Sequence, residues 1–249
     1  MVAEGSVLMG APIVAHPFGS IRPSLPVCYD PAVTVAAVVL AARAETALAD
    51  ADGLPAVRRI AETAWSGGAI PVVVVSFDPD STVITALLGT EASLVEPAPV
   101  AGGPVGQICT GIDAALRLVG ETDAALVWPA RLTWPDPETI TSLIEAHGTD
   151  PSAVLRPRFD DEAGWPVLVP VAALEQLRAL GADRMPGELV DDLATGGWPI
   201  RTLDLGDPGT VRDGSVPRAE LPAYRGPSEP ASGHVHEWGE ETEADDLEV

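Results

Sequence analysis

From Thr34 onward, short apolar runs alternate with stretches in which apolar residues recur at helical spacing. TVAAVVL at 34–40 and IPVVVVS at 70–76 are β-branched runs with almost no polar position, the pattern of strands covered on both faces in a parallel sheet. Shorter runs at 93–95, 124–128, 153–156, 166–169 and 200–205 read as further strands. Helices are predicted over 55–65, 80–88, 107–119, 137–146, 171–180 and 187–195. Pro55 suits a first helical turn, Gly67-Gly68 is a stop, Asp136 is a cap before Pro137, and Asp80 or Ser81 is a cap for the second helix.

Strands and helices in this alternation predict a three-layer α/β/α sandwich with a mostly parallel sheet. A turn at 160–164 makes a hairpin of residues 153–169 and supplies one antiparallel strand. The domain is expected over residues 33–225. Residues 1–32 contain five prolines before Ala32 and no helical period, and read as an extended arm with one short strand at Val7 to Met9. Residues 226–249 read as a disordered acidic tail, since Ser228 to Val249 holds eight acidic residues and no arginine.

The strand at 34–40 is followed by a loop of small residues and then a helix. In α/β nucleotide-binding domains phosphates lie in such a loop. Composition changes that picture. All 14 basic residues are arginine, so no lysine is available to any mechanism. A net charge of −23 opposes nucleic acid and anionic membranes as partners. Cys28 and Cys109 stand alone, without metal-site spacing. No signal-like leader and no apolar run of about 18 residues is present, and a cytoplasmic location is expected.

VVLAAR at 38–43, the glycine-rich run at 102–106, ALVWPARLTWPDPETI at 125–140 and Gly164-Trp165-Pro166-Val167 together resemble the nucleotidyltransferase domain of molybdenum-cofactor guanylyl- and cytidylyltransferases, the MobA-like family with a glycosyltransferase-A-like fold. VVLAAR at 38–43 is similar to the opening of the signature L-A-A-G-x-S-x-R-M-G-x-x-K. Gly102-Gly103-Pro104-Val105-Gly106 is similar to the glycine-rich loop, and Gly164-Trp165-Pro166-Val167 to G-H-P-V. ALVWPARLTWPDPETI at 125–140 aligns without a gap to A-L-V-x-P-x-D-x-P-x-V-x-P-E-T-I. The resemblance places Leu40, Ala41, Ala42, Arg43, Gly103, Gly106, Arg131 and Trp165 around the substrate cleft. In the family the signature loop wraps a triphosphate, and the aspartate after the fourth strand holds magnesium.

The residues that would carry this chemistry differ here. Arg43 stands at the signature glycine, Glu45 at the serine, Ala47 at the arginine, Ala49 at the next glycine, and Asp50 or Asp52 at the lysine. Arg131 stands at the magnesium aspartate, and a guanidinium offers no oxygen donor. Phosphoryl-type transfer rests on positioning and charge neutralisation, so losing these roles together removes the reaction. The implied protein is a degenerate transferase with neither catalytic residues nor a cofactor. It binds a protein partner through the arm or the tail, as an accessory of bacterial cofactor maturation. Arg43 and Arg131 together would make an anion or nucleotide sensor, unless Arg131 pairs with Glu45, Asp50 or Asp52. An active enzyme would need Mg and NTP held by other residues, such as Asp123, Asp136 or Asp160. Trp128, Trp134, Trp165 and Trp198 each precede a proline and either pack the loops, fill the cleft or form a protein-binding patch. Asp160-Asp161-Glu162 reads as a solvated hairpin tip, His234 and His236 as a weak metal pair, and Cys109 as core packing.

Overall fold

Apolar residues that are β-branched on both sides of the chain become the centre of the sheet. In the computed structural model, which describes residues 33–227, β1 (Val35–Leu40) is buried over five of its six residues. It is followed by α1 (Ala44–Ala47), a two-residue pair of strands β2 (Asp50–Ala51) and β3 (Leu54–Pro55), and α2 (Ala56–Ser66). Then come β4 (Val72–Val75), α3 (Thr82–Ala86), β5 (Ala92–Val95) and the long α4 (Gly103–Leu118). β6 (Ala124–Pro129), α5 (Pro137–Thr149), β7 (Val154–Phe159), β8 (Glu162–Ala163) and β9 (Val167–Pro170) form the next section. The domain closes with α6 (Leu174–Ala179), α7 (Leu189–Thr195) and β10 (Ile200–Asp204).

The main sheet has the order β10-β7-β9-β6-β1-β4-β5, with β8 paired to β7. β1 runs parallel to β4 and β6, β4 to β5, and β7 to β10, while β9 is antiparallel to β6 and β7. Alternation along β1 divides the core. Val35, Ala37 and Val39 pack with Val57 and Ile60 of α2 and Ile140 and Leu143 of α5. Ala36 and Val38 face Ile108 and Ile112 of α4, with Leu177 of α6 and Leu193 of α7 completing that layer. The three-layer sandwich expected from the alternation is present. Helix α4 lies close to the sheet because Gly111 has no side chain: a Cβ there would fall 2.2 Å from Val38 Cγ1.

Several boundaries differ from expectation for local reasons. Helix α4 begins at Gly103 rather than near residue 107, because Pro104 fits a first turn and Gly103 takes φ +56° to enter it. The expected phosphate loop is occupied instead by α1 and the β2–β3 pair. Its alanines favour helix, and Asp52-Gly53, both at positive φ, form the turn between β2 and β3. Asp136 caps α5 as expected, accepting the Glu138 N–H at 3.1 Å. Helix α3 is capped from further upstream than Asp80 or Ser81: Asp78 accepts the N–H groups of Val83 and Ile84 at 3.0 and 2.8 Å. The expected arm and its strand at Val7 to Met9, Cys28, the paired histidines and the acidic stretch lie outside the described residues.

Candidate functional site

Parallel strands end at the same edge of a sheet, and the ends of β6, β1 and β4 adjoin. Pro129, Leu40 and Val75 at those ends form the floor of a cleft of about 400 Å³. Ala42 is its lip. Val100, just before α4, is also in the lining, with Gly103, Pro104 and Gln107 from the first turns of α4 and Met185 and Pro186 from before α7. Among the described residues, no ionisable side chain lines it. The one polar side chain, Gln107, is anchored to Ala98: its carbonyl accepts the Ala98 N–H at 3.0 Å and its amide donates to the Ala98 carbonyl at 3.1 Å, which leaves one N–H and one lone pair for other partners. Gly103 permits a close approach of the 182 segment, for a Cβ there would meet the Ala182 carbonyl oxygen at 1.7 Å.

A second groove, of about 540 Å³, opens on the other side of the 42–50 segment. Glu45 and Asp50 line it, with Arg131, Thr133, Asp213 and Ser215. Arg131 is exposed and its guanidinium meets Asp213 at 3.5 Å. Burial works against ionisation of Asp213, but the bonds from Ser215 and the Arg131 charge outweigh it and hold the carboxyl below its ordinary range. The partner of Arg131 is therefore Asp213, not Glu45, Asp50 or Asp52. The pairing depends on the 207–221 segment, which returns beneath β6, where the Gly214 N–H donates to the Arg131 carbonyl at 2.7 Å. No local signal in the sequence links residues 82 positions apart.

Of the residues the sequence assigned to a cleft, Leu40, Ala42 and Gly103 come together in the first one. Ala41 is buried behind it, with its N–H on the Val75 carbonyl. Gly106 lies within α4 against Ala98 and lines neither cavity. Arg43 is exposed at the start of α1 and makes no ion pair among the described residues. Arg131 lines the second groove while Arg43 does not, so the two do not share a cavity. Trp165 lines neither: it is 6% exposed, packed in the core, and its backbone N–H donates to the Thr210 carbonyl. It does not obstruct a cleft.

The remaining tryptophan–proline pairs also pack loops. Trp128 Nε1 donates to the Leu132 carbonyl at 2.7 Å, Trp134 Nε1 to Val216 at 2.9 Å, and Trp198 Nε1 to Gln176 Oε1 at 2.9 Å. Trp128 and Trp134 are buried, which rules them out of an exposed binding patch. Cys109 is buried in α4, and burial pushes its thiol up, away from nucleophilic use.

The magnesium implied by the fold family does not fit these residues. The position that the sequence resemblance gives to its aspartate is Arg131, a side chain without an oxygen donor, and among the described residues no three His, Cys, Asp or Glu side chains converge. Asp123 lies at the opposite end of β6 from the cleft, taking the Thr34 N–H at 2.8 Å. Asp136 caps α5, and Asp160 sits on the β7–β8 turn with Arg225 at 2.8 Å. None of the three lines either cavity. Val75, Val100, Met185, Pro186 and Asp213 were missed by sequence reasoning, because only the tertiary fold brings them to a cavity.

No curated protein matches the chain by sequence. Solved structures share its fold at low identity. Rv0371c from Mycobacterium tuberculosis H37Rv, in complex with manganese, is 19% identical, with a TM-score of 0.55 over 70% of this chain and 88% of that one. A nucleotidyl transferase from Methanothermobacter thermautotroptrophicus is 19% identical, with a TM-score of 0.54 over 67% and 85%. The 4-diphosphocytidyl-2C-methyl-D-erythritol synthase of Anaerococcus prevotii is 11% identical, with a TM-score of 0.54 over 73% and 90%. The family model of the MobA-like NTP transferase domain matches residues 41–195, more than half of the chain, from the residue after β1 through α7. The chain belongs to the MobA-like NTP transferase domain family.

Proposed function

We propose that this protein carries the nucleotidyltransferase fold without the family's reaction and acts by binding. One observation supports the reading above others: Arg131, at the position that the resemblance gives to the metal-holding aspartate, lines the second groove as a cation and pairs there with Asp213 at 3.5 Å. The signature loop adds to it: α1 and the β2–β3 pair occupy its length, and the resemblance sets Asp50 or Asp52 against the family's lysine. Removing one transition-state charge contact typically lowers a rate on the order of 10² or more, and here several are replaced together.

Within this reading the protein is an accessory partner in bacterial cofactor maturation. Residues 228–249, with eight acidic residues and no arginine, are its contact for a positively charged protein. The test is pyrophosphate release from ATP, GTP, CTP and UTP with Mg²⁺ and a panel of phosphorylated acceptors. No release above the protein-free background is expected. Release that requires Mg²⁺ and disappears in Asp213→Asn or Asp50→Asn would overturn the proposal, because it would put a working metal site in the second groove.

A further inference from the structure

We infer that the second groove, lined by the 45–50 and 213–215 segments, is a seat for an aliphatic cation that carries N–H groups, an alkyl guanidinium or ammonium. The inference rests on the binding reading above and gives that binding a ligand class. The carboxylates of Glu45, Asp50 and Asp213 line the groove against one guanidinium, that of Arg131. Arg131 is answered by Asp213 at 3.5 Å, and the other oxygen of Asp213 accepts the Ser215 N–H at 3.0 Å. Glu45 and Asp50 pair with no cation among the described residues. The groove keeps their negative charge uncompensated, in a chain of net charge −23 whose field draws cations in.

Thr133 adds an observation independent of charge. It lines the groove and is 3% exposed, yet its Oγ1 has no hydrogen-bond partner among the described residues. That oxygen lies against Gly214, which is also in the lining: a Cβ on Gly214 would fall 2.5 Å from it. A buried hydroxyl left unpaired is a standing cost, and its lone pairs suit a ligand N–H. A metal ion would not use these groups, because it needs oxygens that converge on one point, and among the described residues no three His, Cys, Asp or Glu side chains do. Charge spread along a groove suits an extended organic cation instead, whose N–H groups make charge-assisted bonds to carboxylates. Ala49, Ala56 and Ala130 offer apolar stretches to its methylene stem, and about 540 Å³ falls in the range of pockets that enclose a single small ligand.

The full, isotope-labelled chain is titrated with n-butylguanidine and followed by its amide NMR shifts. Saturable one-to-one binding is expected, with the largest shifts at Glu45, Asp50, Thr133 and Gly214. Glu45→Gln and Asp50→Asn each weaken it by about threefold. Glu91→Gln removes the same charge from an exposed position outside the groove and leaves binding unchanged. Thr133→Val weakens binding, and Thr133→Ser, which keeps the hydroxyl, does not. Butyltrimethylammonium, with the same charge and stem but no N–H, binds about tenfold more weakly. N-acetyl-arginine N-methylamide presents the same cation on a peptide: tighter binding than n-butylguanidine assigns the groove to a protein side chain, and equal or weaker binding assigns it to a free small cation. Equal weakening by Glu45→Gln and Glu91→Gln overturns the inference. So does butyltrimethylammonium binding as tightly as n-butylguanidine, or groove shifts with Mg²⁺ and none with n-butylguanidine. These outcomes are separable from failure of the function reading, which is decided by pyrophosphate release alone and needs no guanidine.

Discussion

His147 lies in α5, is 1% exposed, and has no hydrogen-bond partner on either ring nitrogen among the described residues. Burial lowers its pKa, against the pull of Asp123 and Asp150, which favour the charged ring. The unfolded chain therefore takes up a proton more readily than the folded one. Stability is intact above the ordinary imidazole value of about 6.5 and is lost as pH falls from there towards the lower folded value. Urea midpoints at pH 7.5 and pH 5 should show the natural protein losing more stability on acidification than His147→Leu, whose other titrating groups are the same. Equal losses would contradict the account. At Arg131 the scale of the effect is different. Its pair with Asp213 is exposed on both sides, so such a bridge contributes about 0–1 kcal/mol. The identity of this partner was not legible in the sequence, because Asp213 arrives from the far end of the domain.

Elements were the most legible level. Runs such as 35–39 and 72–75 have no face on which water is tolerated, and burial on both sides of the sheet decided their state before any cap or turn did. The stretch between β1 and α2 was misread because short elements leave little periodicity: four residues of α1 and two each of β2 and β3 are set by alanine content and one Asp-Gly turn. Helix α5 shows how distant residues finish an element. Its own Asp136 takes one N–H, and Asp207, 2% exposed, reaches the same end: it accepts the Asp136 N–H at 2.8 Å, the Thr139 hydroxyl at 2.7 Å and the Gly209 N–H at 2.8 Å. Removing the carboxylate leaves the fully buried Thr139 hydroxyl without its acceptor. Asp207→Ala should cost roughly 1–3 kcal/mol by urea unfolding, with hydrogen exchange rising first at the start of α5. An unchanged midpoint would show that Asp207 only follows the helix.

For the whole molecule, the order of strands in the sheet is not the order in which they leave the ribosome. β1 is central, and its two neighbours are β4, complete at residue 75, and β6, which begins at residue 124. Thr34 and Asp123, joined by a 2.8 Å bond, are 89 positions apart. During synthesis β1 therefore waits with one edge bare, a row of unpaired peptide groups on a very apolar strand, while α3, β5 and α4 are made. Closing so distant a pairing is slow, and slow pairing leaves time for wrong partners. A chain stopped at residue 120 should accumulate in the insoluble fraction, one stopped at residue 227 should not, and equal solubility of the two would refute this. The central strand that gives the cleft its floor is thus also the segment for which a nascent chain most needs a chaperone.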